Sequence, residues 1–146
     1  GPTGDPAPDP GPPAVLAGDG TAIAGAGAPA AVAGIVAAAN RIAALPYRYG
    51  GGHRSFRDSA YDCSGSVSFA LRGAGLLRAP LDSTGLARWG RPGPGRWLTI
   101  YANRTHAFLV VAGLRFDTSG LRAAGSRWQP MDRSVAGFAV RHPDGL

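Results

Sequence analysis

The sequence predicts an α+β domain in which helices come first and an antiparallel sheet follows. Two observations point that way. Residues 29–45 and 64–77 carry apolar side chains at the three-and-four spacing of buried helical faces. From Trp97 onward the chain breaks into short runs rich in Val, Leu, Ile and Phe, separated by glycine turns. No helical run is interleaved between those strands, so a parallel sheet is excluded and a meander expected.

In chain order, residues 1–28 are mostly Gly, Pro, Ala and Asp with almost nothing large to bury. Asp5-Pro6-Ala7-Pro8-Asp9-Pro10 reads as an extended spacer, so residues 1–28 are expected to form a disordered linker and 29–146 the folded catalytic domain. In the first helix Val32, Ile35, Val36, Ala39, Ile42 and Ala43 form one stripe, with Asn40 and Arg41 to the side; Pro46 ends it. Pro46-Tyr47-Arg48-Tyr49-Gly50-Gly51-Gly52-His53 is a glycine-rich bend, but it contains neither phosphate-loop pattern. The second helix has Asp62 as its N-cap, a stripe of Val67, Leu71 and Ala74 with Ala70 beside it, and Gly73 and Gly75 at its end. A short helical turn is expected within 81–89, and Arg91-Pro92-Gly93-Pro94-Gly95 leads into the sheet. The predicted strands are 97–102, 106–112, 114–119 and 137–142. The second is apolar on both faces and therefore central, and Ala112-Gly113 makes the tight turn to the third.

Composition narrows the function classes. The net charge of +6 favours an anionic partner, yet the arginines are scattered without a basic run interleaved with aromatics. A nucleic-acid role is therefore not expected. No apolar stretch is long enough to span a bilayer. One cysteine allows no internal disulfide, and no local ligand pair has zinc spacing, so no metal or other cofactor is expected.

That cysteine, Cys63, opens the second helix, where free backbone N–H groups and the helix dipole favour an anion, and the thiolate is the nucleophilic form. Lone cysteines are more often small buried apolar residues, so the nucleophile reading needs a base and an orienter for it. His106 starts the central strand and Asp117 lies 11 residues on. In an antiparallel hairpin the numbers of opposed residues have a constant sum, and a two-residue loop makes it odd, as the sum of 106 and 117 is. The two then share a face. They are directly opposed if the turn is Val111-Ala112 and diagonal if it is Ala112-Gly113, with Cβ atoms ~5 or ~7–8 Å apart. A three-residue loop without a bulge separates them onto opposite faces. His53, ten residues before Cys63, is placed to line the cleft and touch substrate, whereas His142 reads as a packed or surface residue. Arg48 and Arg54 read as solvated charges or as contacts for substrate carboxylates.

The motifs together resemble a known family. Pro46-Tyr47-Arg48-Tyr49-Gly50-Gly51, Asp62-Cys63-Ser64-Gly65 opening a helix, His106 opening a strand, and Phe116-Asp117-Thr118-Ser119 are similar to the NlpC/p60 cysteine peptidases over residues 30–142. The resemblance implies a papain-like fold and cleavage of amide bonds in the peptide stems of bacterial peptidoglycan. It makes Cys63 the nucleophile, His106 the base and Asp117 the third polar residue. It puts Tyr47 near the oxyanion position and Asp62 and Ser64 among the residues that hold the stem peptide. It also departs from the family pattern: Phe108 stands where the family has glycine two residues after the base, and Arg91-Pro92-Gly93-Pro94-Gly95 replaces the Pro-Gly-Asp-Leu run.

The implied protein is a secreted or wall-associated monomer, in a mature form without a signal peptide, that hydrolyses stem peptides through a thioester. Two other readings remain open at this point. One is the same triad acting on another amide or ester, as in amidase, acyltransferase or toxin relatives; the other is a non-catalytic wall-binding module.

Overall fold

In the computed structural model, which describes residues 13–146, two helices pack against one face of a six-stranded antiparallel sheet. Helix α1 (Ala30–Ile42) buries Val32, Ile35, Val36, Ala39 and Ile42, the stripe expected from its periodicity. Helix α2 (Cys63–Arg72) buries Val67, Ala70 and Leu71. It ends at Arg72 rather than Leu77, because Gly75 takes a positive φ and Leu76 N–H turns back to the Leu71 carbonyl. The expected stripe residue Ala74 lies past the helix end, partly buried against the core. The helices cross closely at two glycines: a Cβ on Gly34 would stand 2.7 Å from the Gly73 carbonyl oxygen. A short α3 (Ser83–Leu86) follows.

The strands are β3 (Arg91–Pro92), β4 (Leu98–Ala102), β5 (Ala107–Val111), β6 (Leu114–Phe116), β7 (Trp128–Pro130) and β8 (Ala139–His142), in the spatial order β3-β8-β4-β5-β6-β7. Strand β5 is internal, as its two apolar faces required. Ala107, Leu109 and Val111 face the helices and join Leu98, Ile100 and Phe116 in the core. On the other face, Phe108 stacks on Tyr101 at 5.0 Å and meets Phe138 edge-on at 5.1 Å. Val111 pairs with Leu114, so the β5–β6 turn is Ala112-Gly113, both at positive φ as a two-residue hairpin demands.

Strand β6 stops at Phe116, short of the expected Ser119, because the Asp117 carboxylate accepts Ser119 N–H and starts a 3₁₀ turn over Thr118–Gly120. A single-turn α4 (Leu121–Ala124) follows it. The short strands β3 and β7 were not expected.

The linker expected over 1–28 needs correction at its C-terminal end. Residues 13–28 include a ribbon of β1 (Val15–Leu16) and β2 (Ala22–Ile23), held to the body by hydrogen bonds rather than by large side chains. Ala14 N–H donates to the Ala112 carbonyl, and the Asn40 amide bonds both N–H and C=O of Ala22 at 2.9 Å. Ser126 Oγ donates to the Gly20 carbonyl at 2.6 Å. The Asp5–Pro10 spacer lies outside the described residues.

Candidate active site

Asp62 makes the two sequence motifs one structural unit. As N-cap of α2 it accepts Gly65 N–H at 2.7 Å through Oδ1, and through Oδ2 it accepts Gly50 N–H at 3.0 Å. Asp62 N–H in turn donates to the Gly51 carbonyl. The glycine bend and the helix start approach so closely that a Cβ on Gly65 would lie 2.1 Å from the Gly51 carbonyl oxygen. Glycine is required at residue 65 by that approach. The arrangement holds Cys63, half-buried, as the first residue of the helix.

His106 stands immediately before β5, on the sheet side of Cys63. The Asn103 side-chain oxygen accepts His106 N–H at 2.9 Å and Thr105 N–H at 3.0 Å, bracing the loop that ends at the ring. His106 Nε2 lies 2.8 Å from Asp117 Oδ1, and Cys63 is near enough to the ring to influence its charge. With Nε2 engaged by the carboxylate, Nδ1 is the nitrogen left for the sulfur. His106 and Asp117 are diagonal neighbours on one face, the outcome tied to the Ala112-Gly113 turn. The Asp117 carboxylate, accepting from the ring, and then Cys63 raise the His106 pKa from 6.5 to about 9 against the opposing effect of burial.

Asp117 is 1 % exposed. Burial acts to raise its pKa, but hydrogen bonds from His106, Ser119 N–H and Arg115 outweigh it and hold the carboxyl well below the usual carboxylate range. Arg115, itself buried, donates Nε to Asp117 Oδ2 at 2.8 Å and has Nη2 at the same distance. Neither Arg115 nor Asn103 was singled out from the sequence. The alternation that puts Asp117 beside His106 places residue 115 on the same face, and that signal was available.

The other expected residues line one cleft of about 470 Å³ that includes Tyr47, His53, Cys63, Ser83, Arg104 and Thr105. Tyr47 and Cys63 line the cleft together, and the pKa of Tyr47 is raised by burial, then by the nearby charges of Cys63 and Asp62. His53 Nε2 lies 2.8 Å from Asp62 Oδ1 and 3.0 Å from Ser64 Oγ. Asp62 therefore has both oxygens engaged, and His53 is the group presented to the cleft. Arg48 is taken up by Asp58 through two contacts of 2.7 and 2.8 Å, and His142 is packed with Nδ1 2.9 Å from the Gly93 carbonyl. A larger cleft of about 580 Å³ between α1 and α2, lined by Arg41, Phe56, Asp58, Tyr61, Phe69 and Arg72, has no cysteine or histidine in its lining. Phe108, which replaces the family's glycine, is fully buried on the sheet face behind His106 and does not line the cleft.

No family model and no curated protein matches the sequence. Among solved structures, the chain is similar to the peptidoglycan hydrolase RipB from Mycobacterium tuberculosis, with 26% identity and a TM-score of 0.59. That match covers 77% of this chain and 64% of the RipB chain, so the chain spans less than two thirds of its neighbour. It is also similar in fold to the P60 domain of an antigen from M. avium subspecies paratuberculosis, at 20% identity, with a TM-score of 0.55 and 76% and 93% of the two chains covered. The fold is the papain-like α+β fold of NlpC/p60 proteins, in agreement with the resemblance carried by the motifs.

Proposed function

We propose that this NlpC/p60-type chain is a cysteine hydrolase that cuts amide bonds in peptidoglycan stem peptides, with residues 29–146 as its catalytic part. The observation that carries the reading is the 2.8 Å pairing of the His106 ring with the buried Asp117 carboxylate, next to Cys63 on the wall of the cleft. The likeness to RipB supplies the substrate class.

In this mechanism the Cys63 thiolate, paired with the His106 imidazolium, attacks the amide carbonyl. The oxyanion is met by the Cys63 backbone N–H at the helix start and by the Tyr47 hydroxyl. His106 Nδ1 protonates the leaving amine, and water then hydrolyses the thioester. Asp117 holds the ring's orientation and stabilises its cation. Asp62 fixes the turn that presents the sulfur, and His53, Ser64 and Arg104 contact the stem, with Arg104 suited to its carboxylates. The protein works as a monomer outside the cell, at the wall.

The test is mass spectrometry of peptidoglycan fragments digested by the wild type and by Cys63→Ala. The expected result is new amine and carboxyl termini within the stem from the wild type alone. Full activity in Cys63→Ala overturns the mechanism. Uncut stems from a wild type that hydrolyses another amide or ester overturn the substrate assignment.

A further inference from the structure

We propose that Arg115 is a positioning residue of this site: it fixes the Asp117 carboxylate against His106 and keeps it ionised while the ring gives up its proton. The inference rests on the assignment of Cys63, His106 and Asp117 as the reacting set.

The geometry divides the carboxylate between two jobs. Oδ1 serves His106 Nε2 and Ser119 N–H, while Oδ2 is held by the forked Nε and Nη2 donors of Arg115. Arg133 is the other cation near Oδ2, but it stands 3.7 Å away on a half-exposed side chain. From the helix side, the charged partner facing the ring is Cys63. Arg115 is 4 % exposed, and its guanidinium carbon sits 3.6 Å from the centre of the Phe108 ring. That ring is clamped between Tyr101 and Phe138. Phe108, the departure from the family's glycine, is thus the platform on which the arginine lies flat. A guanidinium suits this place because its planar fork matches a carboxylate and its charge persists at every working pH.

The chemistry needs such a partner. When His106 passes its proton to the leaving amine, the ring becomes neutral and the carboxylate, closed off from water, loses its cation. A buried carboxylate in that state tends to recover a proton or to hold the ring protonated. Arg115 keeps the charge compensated in both states of the ring and so lets the proton leave. Its positive charge therefore works against retention of the proton on His106.

The test is an NMR titration of the His106 ring, with kcat and KM on a peptidoglycan stem peptide, in the wild type and in Arg115→Gln, Arg115→Met and Arg115→Lys. Removing the charge in either of the first two should move the His106 midpoint upward from about 9, by roughly one unit. The same variants should lower kcat about tenfold or more, with KM changed far less. Arg115→Lys keeps a charge and should leave the midpoint near the wild-type value. An unmoved or lowered midpoint in whichever charge-removing variant folds overturns the proposal. Asp117→Asn separates this from failure of the underlying assignment. A midpoint lowered there but unmoved in Arg115→Gln removes only Arg115, whereas no effect of Asp117→Asn removes the triad itself.

Discussion

Replacing Arg127 by Met should cost more stability than any other single change among the charged residues. The side chain is fully buried and has no carboxylate partner among the described residues. Its guanidinium donates to the carbonyls of Ile42 at 2.7 Å, Leu45 at 2.6 Å, Tyr61 at 3.0 Å and Pro46 at 3.3 Å, and to Ser66 Oγ at 2.9 Å. Helix α1 and the segment after it leave carbonyls without intrahelical donors, and Arg127 satisfies them while tying α1 to the start of α2. Burial is strong enough to lower its pKa to about 10. Met fills similar volume and supplies no donor, so the Leu45 and Tyr61 carbonyls are stranded together, while those of Ile42 and Pro46 keep Leu45 N–H and Tyr61 N–H. Stranding two buried acceptors at about 1–3 kcal/mol each puts the cost at roughly 3–5 kcal/mol. For a domain of this size that converts to a fall in Tm of about 10–15 °C. Arg127→Lys reaches only part of the acceptor set and should lose about half as much. Thermal unfolding followed by circular dichroism, with urea titration as a second measure, reads both variants. A fall below about 3 °C in Arg127→Met would refute the reasoning, since the carbonyls must then find other donors.

Further expectations concern the site. The raised His106 pKa contributes stability that is complete below pH 6.5 and lost as pH rises through about 9. Wild type should therefore lose up to about 3 kcal/mol between pH 6 and pH 10 in urea unfolding, and Asp117→Asn should lose markedly less. Gly65→Ala drives a methyl against the Gly51 carbonyl, so Tm should fall with a loss of about 1–3 kcal/mol and hydrolysis should collapse with it. Tyr47→Phe should lower kcat by about 10²–10³ with little change in KM, because its hydroxyl acts on the oxyanion; equal kcat in the two proteins removes Tyr47 from that role.

Much of this arrangement could be read before any coordinates, and the reasons differ by element. The α1 stripe and the doubly apolar β5 declare themselves because burial repeats with the period of the backbone. The hairpin parity brought His106 and Asp117 to one face because a two-residue turn leaves no freedom of register. Arg115, whose partner Asp117 is two residues on, was within reach of the alternation and was overlooked. Arg127 stayed hidden among scattered arginines, since the carbonyls that make its burial tolerable lie at and beyond the end of α1 and just before α2. The ribbon over residues 15–23 was missed for a related reason. It docks through backbone groups and the Asn40 amide, and composition carries no trace of either. The extent of β6 was overestimated because Asp117 ends the strand by capping its own turn.

The alkylation rate of Cys63 by iodoacetamide at pH 6, compared between wild type and His106→Ala, tests most directly whether the thiol and the imidazole act as one unit. The protonated ring beside the sulfur should make the wild type react at least about tenfold faster than the variant, with both proteins folded by circular dichroism. Equal rates would contradict a shared site and leave Cys63 as an ordinary half-buried thiol.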